Sequence, residues 1–140
     1  AHHPLAVPPP AVASHTDSGK PAVGELDPWF IEEMGRVMTY GKIKYPDEAD
    51  GTPNWWKGGN YRGFIASILR HTFAMLRRED YDACPLREAS GGPSHRCAGK
   101  LAAYCPEHSR LLHAAHVAVD AMFLANWIRN KVGIDNRFNP

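Results

Sequence analysis

The sequence predicts an all-α protein, a bundle of three or four helices completed by oligomerisation. Apolar residues recur at helical spacing in three separate segments, and no segment alternates apolar and polar residues as a half-buried strand does. The 140 residues, 44% of them hydrophobic and 22% charged, suffice for one ordinary domain. Because three such helices bury only a modest core, we expect a homo-oligomer, either a dimer or a tetramer.

The first helix is predicted from about Pro28 to Lys44, with Asp27 as its N-cap and the proline at its first position. The second is predicted at about residues 61–78. The third is predicted at about residues 109–131, with Ser109 as a candidate N-cap. The last two are separated by about 30 residues without periodicity, and loops of that length in a small domain usually have a function or are held in place.

Residues 1–19 predict a flexible tail, followed by a domain at residues 20–135 that carries an insertion at residues 83–106. The tail is rich in proline and histidine and offers too little apolar surface to offset the entropy of ordering. The opening residues do not resemble a signal peptide, and no run of about 18 apolar residues could span a membrane. We therefore expect a cytoplasmic protein with no membrane partner.

The charges nearly cancel. Sixteen Lys and Arg residues face fifteen Asp and Glu residues, which gives a formal net charge of +1. Coating a nucleic acid needs an excess of positive charge, so we expect no nucleic-acid partner.

A polar stripe lies on the third predicted helix. His113, His116 and Asp120 have i, i+3, i+7 spacing and fall within about 60° of one another. The neighbouring residues are mostly apolar, which favours a buried cluster that must be paired or bind a metal. The alternative is the ordinary solvent-facing side of an amphipathic helix.

Further carboxylates suit a hard cation. Glu32 and Glu33 lie near the start of the first helix, where complementing the helix dipole is the alternative explanation. Glu79 and Asp82 have the i, i+3 spacing that lets two carboxylates meet one cation if the second helix continues, and a solvated charge run is the alternative. Such oxygen-rich sites suit Mg²⁺ or Mn²⁺, which in turn favour phosphate ligands.

Several short motifs occur in a specific order along residues 19–124. They are Ser18-Gly19-Lys20-Pro21, Ile31-Glu32-Glu33-Met34-Gly35-Arg36-Val37-Met38-Thr39-Tyr40-Gly41, Lys44-Tyr45, Asn54-Trp55, Lys57-Gly58, Leu69-Arg70-His71, Glu79-Asp80-Tyr81-Asp82, Glu107 with Ser109, and His113-Ala114-Ala115-His116. In this order and spacing the chain resembles the phage dATP/dGTP diphosphohydrolases (MazZ), a branch of the MazG-like all-α pyrophosphohydrolases.

The resemblance implies hydrolysis of a purine deoxynucleoside triphosphate, dGTP or dATP, to the monophosphate and pyrophosphate. It implies Mg²⁺ or Mn²⁺ as cofactor and a role in phage nucleotide-pool or 2-aminoadenine metabolism, in the cytoplasm of an infected bacterium. The metal ligands that it implies are Glu33, Glu79, Asp82 and Asp120, with Glu32 and His116 close behind. The residues expected at the reacting phosphate are Glu33, Glu79, His116 and Asp120.

The resemblance also implies which residues contact the substrate. The residues expected to face phosphates are Lys44, Lys57, Arg70 and His71. Asn54 and Trp55 are expected at the base or sugar, since an amide can pair with a purine edge and an indole can stack on it.

The sequence departs from the family in three places. Residues 46–53 lengthen the nucleotide loop, and Asp120 stands where the family usually has Asn. About 24 residues are inserted between Asp82 and Glu107, which leaves open whether Glu79 and Asp82 keep the family geometry.

The insertion and its flank carry a possible zinc site. Its candidate ligands are Cys84, Cys97 and Cys105, with His95 or His108 as the fourth. Free reduced cysteines, or one disulfide with one cysteine left over, are the alternatives. A competing function class is therefore a non-enzymatic, zinc-stapled module that binds a nucleotide or a protein.

Overall fold

The computed structural model describes residues 11–14, 16, 18–83 and 107–139, and it confirms the all-α class. Within these ranges the chain forms three α-helices and no strand. The helices are α1 (Pro28–Lys44), α2 (Tyr61–Leu76) and α3 (His113–Asn130), with short 3-10 turns at Val23–Glu25 and Asn54–Lys57. No helix in the described ranges is both long and apolar enough to cross a membrane.

Helix α1 has the predicted bounds. The Asp27 side chain accepts a hydrogen bond from the Trp29 N–H at 3.0 Å, and Pro28 occupies the first helical position, where it has no N–H to leave unpaired. Val37 buries its side chain against Ala115 and Val119 of α3. This contact turns one side of α1 towards the centre of the molecule.

Helix α2 begins at an Asn60 cap whose side chain accepts from the Gly63 N–H at 3.0 Å. It ends at Leu76, two residues before the predicted end, and Arg78 follows in a left-handed conformation with φ of 65°. Because the helix does not continue, Glu79 and Asp82 are not on one helical face. Their predicted meeting at one cation required the helix to continue through both residues, which it does not.

Helix α3 begins at His113, four residues later than predicted, with Leu112 at the N-cap position and no side-chain cap. The prediction of Ser109 as the N-cap is wrong, because its hydroxyl and N–H instead form hydrogen bonds with Asp82 and His116. The helix ends at Asn130, where Lys131 adopts a left-handed conformation.

The core lies along α3 in two clusters of buried side chains. One joins Val37 of α1 to the first half of α3, and the other joins Tyr61 of α2 to Leu124 and Trp127. Phe123 packs against both clusters. Helix α3 is thus the central element, and α1 and α2 pack on it.

The insertion is closed at its base by backbone hydrogen bonds. The Asp82 N–H donates to the Leu111 carbonyl and the Arg110 N–H donates to the Asp82 carbonyl, both at 2.8 Å. The His113 N–H donates to the Asp80 carbonyl at 2.9 Å. The segment that follows α2 is therefore paired with the segment that precedes α3, on either side of the insertion.

The segment after α3 holds the loop between α1 and α2. The Tyr61 N–H donates to the Ile134 carbonyl at 3.0 Å, and the Ile134 N–H donates to the Gly59 carbonyl at 2.9 Å. Gly58 and Gly133 approach so closely that a Cβ on Gly58 would lie 2.4 Å from the Gly133 nitrogen. Both glycines have positive φ, so the contact requires a residue without a side chain at each position.

Candidate active site

A cavity of about 1260 Å³ lies between the three helices and the loops that join them. Its basic lining includes Lys44 and Arg70. Its acidic lining consists of Asp47, Glu79, Asp80, Asp82, Glu107 and Asp120. The mixture of opposite charges explains how a chain with almost no net charge can present a strongly polar cavity.

Three histidines form a cluster on one wall of this cavity. The His71 Nδ1 and His113 Nδ1 atoms are 2.7 Å apart, and the His71 ring stacks on the His116 ring at 4.5 Å with an angle of 4° between the planes. His113 is buried, with 7% of its surface exposed. The structure thus confirms that the polar stripe of α3 faces inwards at His113.

Asp82 and Ser109 extend the histidine cluster. The Asp82 Oδ2 atom accepts from the Ser109 N–H at 2.9 Å and lies 3.3 Å from the Ser109 Oγ. The Ser109 Oγ in turn lies 2.5 Å from the His116 Nε2. A carboxylate, a hydroxyl and an imidazole are therefore connected in series at this end of the cavity.

Two of these histidines, His71 and His116, favour their neutral forms. Burial, with a contribution from the neighbouring His71, lowers the pKa of His116 to about 4. Burial also lowers the pKa of His71, and the nearby His113 acts in the same direction. At neutral pH these rings can accept or donate hydrogen bonds, so His71 would meet a phosphate as a neutral donor rather than as a cation.

Asp120 lies one turn beyond His116 on α3. Burial raises its pKa to about 6, although a hydrogen bond from Ser67 and the charge of Arg70 oppose this shift. These two neighbours come from α2, so the pair of helices encloses the carboxyl group from both sides.

The cavity also has an aromatic wall. The Trp55 ring stacks on Phe123 at 4.7 Å with an angle of 20° between the planes. The Trp127 Nε1–H donates to the Trp55 carbonyl at 2.8 Å and fixes the loop that also carries Asn54. Phe123 follows His116 by about two helical turns, or roughly 10 Å along α3.

Some predicted site residues lie elsewhere. Glu32 is exposed, and Glu33 is bonded to Arg36 at 3.2 Å. Lys57 forms an ion pair with Glu48. These three predicted residues are not among those that line the cavity.

Of the remaining predicted residues, Glu79 lines the cavity, but its carboxylate is paired with Arg77 at 3.0 Å. Other predicted residues that line the cavity are Lys44, Asn54, Trp55, Arg70, His71, Asp82, His116 and Asp120.

The structure brings only some of the predicted metal ligands into the cavity. Nowhere in the described ranges do three or more His, Cys, Asp or Glu residues converge in a way that could hold an ion. Of the predicted Mg²⁺ or Mn²⁺ ligands, Glu79, Asp82, His116 and Asp120 line the cavity, whereas Glu32 and Glu33 do not. Of the candidate zinc ligands, Cys84, His95, Cys97 and Cys105 lie outside the described residues, and His108 lines the cavity.

The resemblance assigned no site role to Ser109 or His113, although both belong to its motifs and His113 belongs to the predicted polar stripe. His113 carried a usable signal, since its spacing from His116 already placed it on the same helical face. Ser109 carried none, because its partner Asp82 is 27 residues away in the sequence.

Comparisons with known proteins agree with the resemblance seen in the motifs. The model of the family described as dATP/dGTP diphosphohydrolase, N-terminal, matches residues 11–137. A protein of Salmonella phage PMBT28 named dATP/dGTP diphosphohydrolase is 26% identical over 121 residues, which are 86% of this chain and 31% of that relative. The chain thus spans less than a third of the length of the relative that it matches. No solved structure gives a significant match. The chain belongs to the dATP/dGTP diphosphohydrolase, N-terminal, family.

Proposed function

We propose that the chain hydrolyses purine deoxynucleoside triphosphates, dGTP or dATP, to the monophosphate and pyrophosphate. The observation that carries this proposal is the cavity, which combines histidines and carboxylates with an aromatic wall that includes Trp55 and Phe123. The name of the phage relative supports the same reaction.

The reaction needs a nucleophile at the α-phosphorus and a group that accepts its proton. Water forms a new O–P bond there while the bond from the α-phosphorus to the bridging oxygen breaks, and pyrophosphate leaves with that oxygen. We assign the proton of the water to His116, which lines the cavity and carries an unprotonated ring at neutral pH. Lys44, Arg70, Asn54 and Trp55 all line the cavity. In this proposal Lys44 and Arg70 would supply positive charge to the phosphates, and Asn54 and Trp55 would contact the base.

Dependence on Mg²⁺ or Mn²⁺ is a separate proposal. It is supported by the carboxylates that line the cavity and by the preference of hard cations for oxygen ligands. No three of the described His, Cys, Asp or Glu side chains form such a site by themselves, so the roles given above belong to the side chains of the chain alone.

The proposed cellular role is the one that the resemblance to the phage enzymes implies. It is control of the deoxynucleotide pool, including supply to 2-aminoadenine synthesis, in the cytoplasm of an infected bacterium. A homo-oligomer is the proposed active form.

The test is product analysis with purified chain and dGTP, dATP, dCTP, dTTP or ATP, each with Mg²⁺, Mn²⁺ or a chelator. We expect one pyrophosphate per purine deoxynucleoside monophosphate, and loss of activity in the chelator. Asp82→Asn should lower turnover about 100-fold or more. The control Asp135→Asn should leave it unchanged, because Asp135 is an exposed residue bonded to Arg137 and does not line the cavity.

Two results would contradict the proposal. No turnover with any of these nucleotides would favour the non-enzymatic binding module. Release of inorganic triphosphate in place of pyrophosphate would indicate a different hydrolase class.

A further inference from the structure

Ser109 occupies the centre of the polar end of the cavity, and its hydrogen bonds can be assigned one by one. The Ser109 Oγ atom has three polar neighbours: the Leu111 N–H at 3.1 Å, the Asp82 Oδ2 at 3.3 Å and the His116 Nε2 at 2.5 Å. A hydroxyl group has one proton to donate and two lone pairs that accept. The one proton and the two lone pairs of the hydroxyl group are therefore each matched to one of these three neighbours.

The chemistry of the neighbours decides which position faces which group. The Leu111 amide can only donate, so it takes one lone pair of the hydroxyl oxygen. A carboxylate offers only lone pairs, so the hydroxyl proton points to Asp82, where it forms a charge-assisted hydrogen bond. The second lone pair is left for His116, and the His116 Nε2 must then be the donor.

The reverse assignment is unfavourable. If the hydroxyl proton pointed to the His116 Nε2, a Ser109 lone pair would face the Asp82 Oδ2 at 3.3 Å, and two acceptors would meet without a proton between them. The arrangement also differs from a serine-nucleophile triad, in which the carboxylate binds the other ring nitrogen of the histidine. Here the nitrogen nearest to Asp82 is the same Nε2, at 4.0 Å.

We infer that Ser109 is a positioning residue that holds His116 in the tautomer with its proton on Nε2. It does so by donating its own hydroxyl proton to Asp82 and accepting from the imidazole. The lone pair of the neutral ring then lies on Nδ1, and Nδ1 is the atom that accepts a proton from the attacking water. The kinetic consequence of this inference rests on the proposed function, whereas the tautomer does not.

The location of Ser109 explains why the insertion does not interrupt the hydrogen bonds that join Asp82, Ser109 and His116. Asp82 precedes the insertion and Ser109 follows it, and the bonds between Asp82 and residues 109–111 join its two ends. These hydrogen bonds therefore lie at the closed base of the insertion.

The tautomer is measured directly by NMR of protein labelled with ¹⁵N-histidine near pH 7.5, where two-bond ¹H–¹⁵N correlations separate protonated from unprotonated ring nitrogens. His116→Gln identifies the signals by their loss. We expect a protonated Nε2 and an unprotonated Nδ1 in the wild-type chain, a mixture or a reversal in Ser109→Ala, and the wild-type pattern in Ser109→Thr. A proton on Nδ1 in the wild-type chain, or an unchanged tautomer in Ser109→Ala, would overturn the inference. The wild-type spectrum decides alone if Ser109→Ala does not fold.

Kinetics provide the second readout. We expect Ser109→Ala to lower kcat about tenfold or more with little change in KM, and Ser109→Thr to restore kcat to within about threefold, since it returns the hydroxyl. A loss confined to KM, or no rescue by threonine, would contradict a positioning role. If the wild-type chain shows no turnover, the proposed function fails while the tautomer result stands.

Discussion

Burial favours the uncharged form of two titratable residues of α3. It lowers the pKa of His116 and raises the pKa of Asp120, so both side chains are pushed towards their uncharged forms. The cause is shared, because both side chains are partly buried where α3 packs on α2. The residues next to them differ, since His116 contacts Ser109 and His71 whereas Asp120 is bonded to Ser67. The same helical face therefore carries two groups with different partners.

The shift of Asp120 predicts a pH-dependent stability. Its pKa is about 6 in the folded chain and 3.8 as the ordinary value, so the folded state binds this proton more tightly than the unfolded state. Its contribution therefore becomes less favourable as pH rises from about 4 to about 6, by up to about 3 kcal/mol. Asp120→Asn should be more stable than wild type by up to that amount at pH 8, and the difference should vanish below about pH 4.

The measurement is urea unfolding at several pH values in the presence of a chelator. Glu32→Gln is the matched control, because it makes the same change from a carboxylate to an amide at an exposed position. A stability difference for Asp120→Asn that stays constant from pH 4 to pH 8 would contradict the prediction.

At the scale of elements, close approach of two glycines fixes the loop before α2 against the segment after α3. We predict that Gly58→Ala lowers the free energy of unfolding by about 3 kcal/mol or more, because its Cβ would meet the Gly133 backbone and its φ of 83° is unfavourable for alanine. Gly51→Ala is the matched control. It has φ of 89° with nothing within 4 Å, and should lose only about 1–2 kcal/mol. Equal losses, measured by urea unfolding, would show that the glycine contact does not matter.

The closed base of the insertion gives another prediction. We predict that replacing residues 85–105 with a short Gly-Ser linker leaves the helical far-UV circular dichroism signal and the Tm close to those of the wild-type chain. The reason is that the hydrogen bonds between Asp82 and residues 109–111 lie outside the replaced stretch. Extending the excision through residue 110 removes these partners and should lower the Tm. If the shorter excision also unfolds the chain, then the insertion itself stabilises the fold.

The helices show what local sequence can and cannot predict. The bounds of α1 were predictable because its cap is local: Asp27 binds an N–H only two residues away. The start of α3 was not, because Ser109 is bonded to Asp82 across the insertion. Likewise, the left-handed conformation of Arg78 prevents α2 from continuing, so Glu79 and Asp82 do not share a helical face. The polar stripe of α3 was predictable from periodicity, whereas the contact of His71 with it depends on how α2 packs.

At the scale of the whole molecule, the described part of the chain has a small core and an uncovered apolar side. Only seven apolar residues are buried in these ranges. Leu69, Phe73 and Leu76 follow each other at helical spacing on α2 and are exposed, Leu76 by 76%. Such a stripe is unusual on the surface of a soluble monomer.

We predict that a second copy of the chain covers this stripe. The wild-type chain should then sediment as a dimer or larger species, and its Tm should rise with protein concentration, because association stabilises only the folded state. Phe73→Glu should produce monomers with a lower Tm that no longer depends on concentration, since a carboxylate at the centre of an apolar contact would be buried without a partner. Ile128→Glu, which introduces the same charge at an exposed position of α3, should leave the assembly intact. A wild-type chain that remains monomeric at about 100 μM, far above the dissociation constant of a stable dimer, would remove this interpretation, and the exposed stripe would then need another explanation.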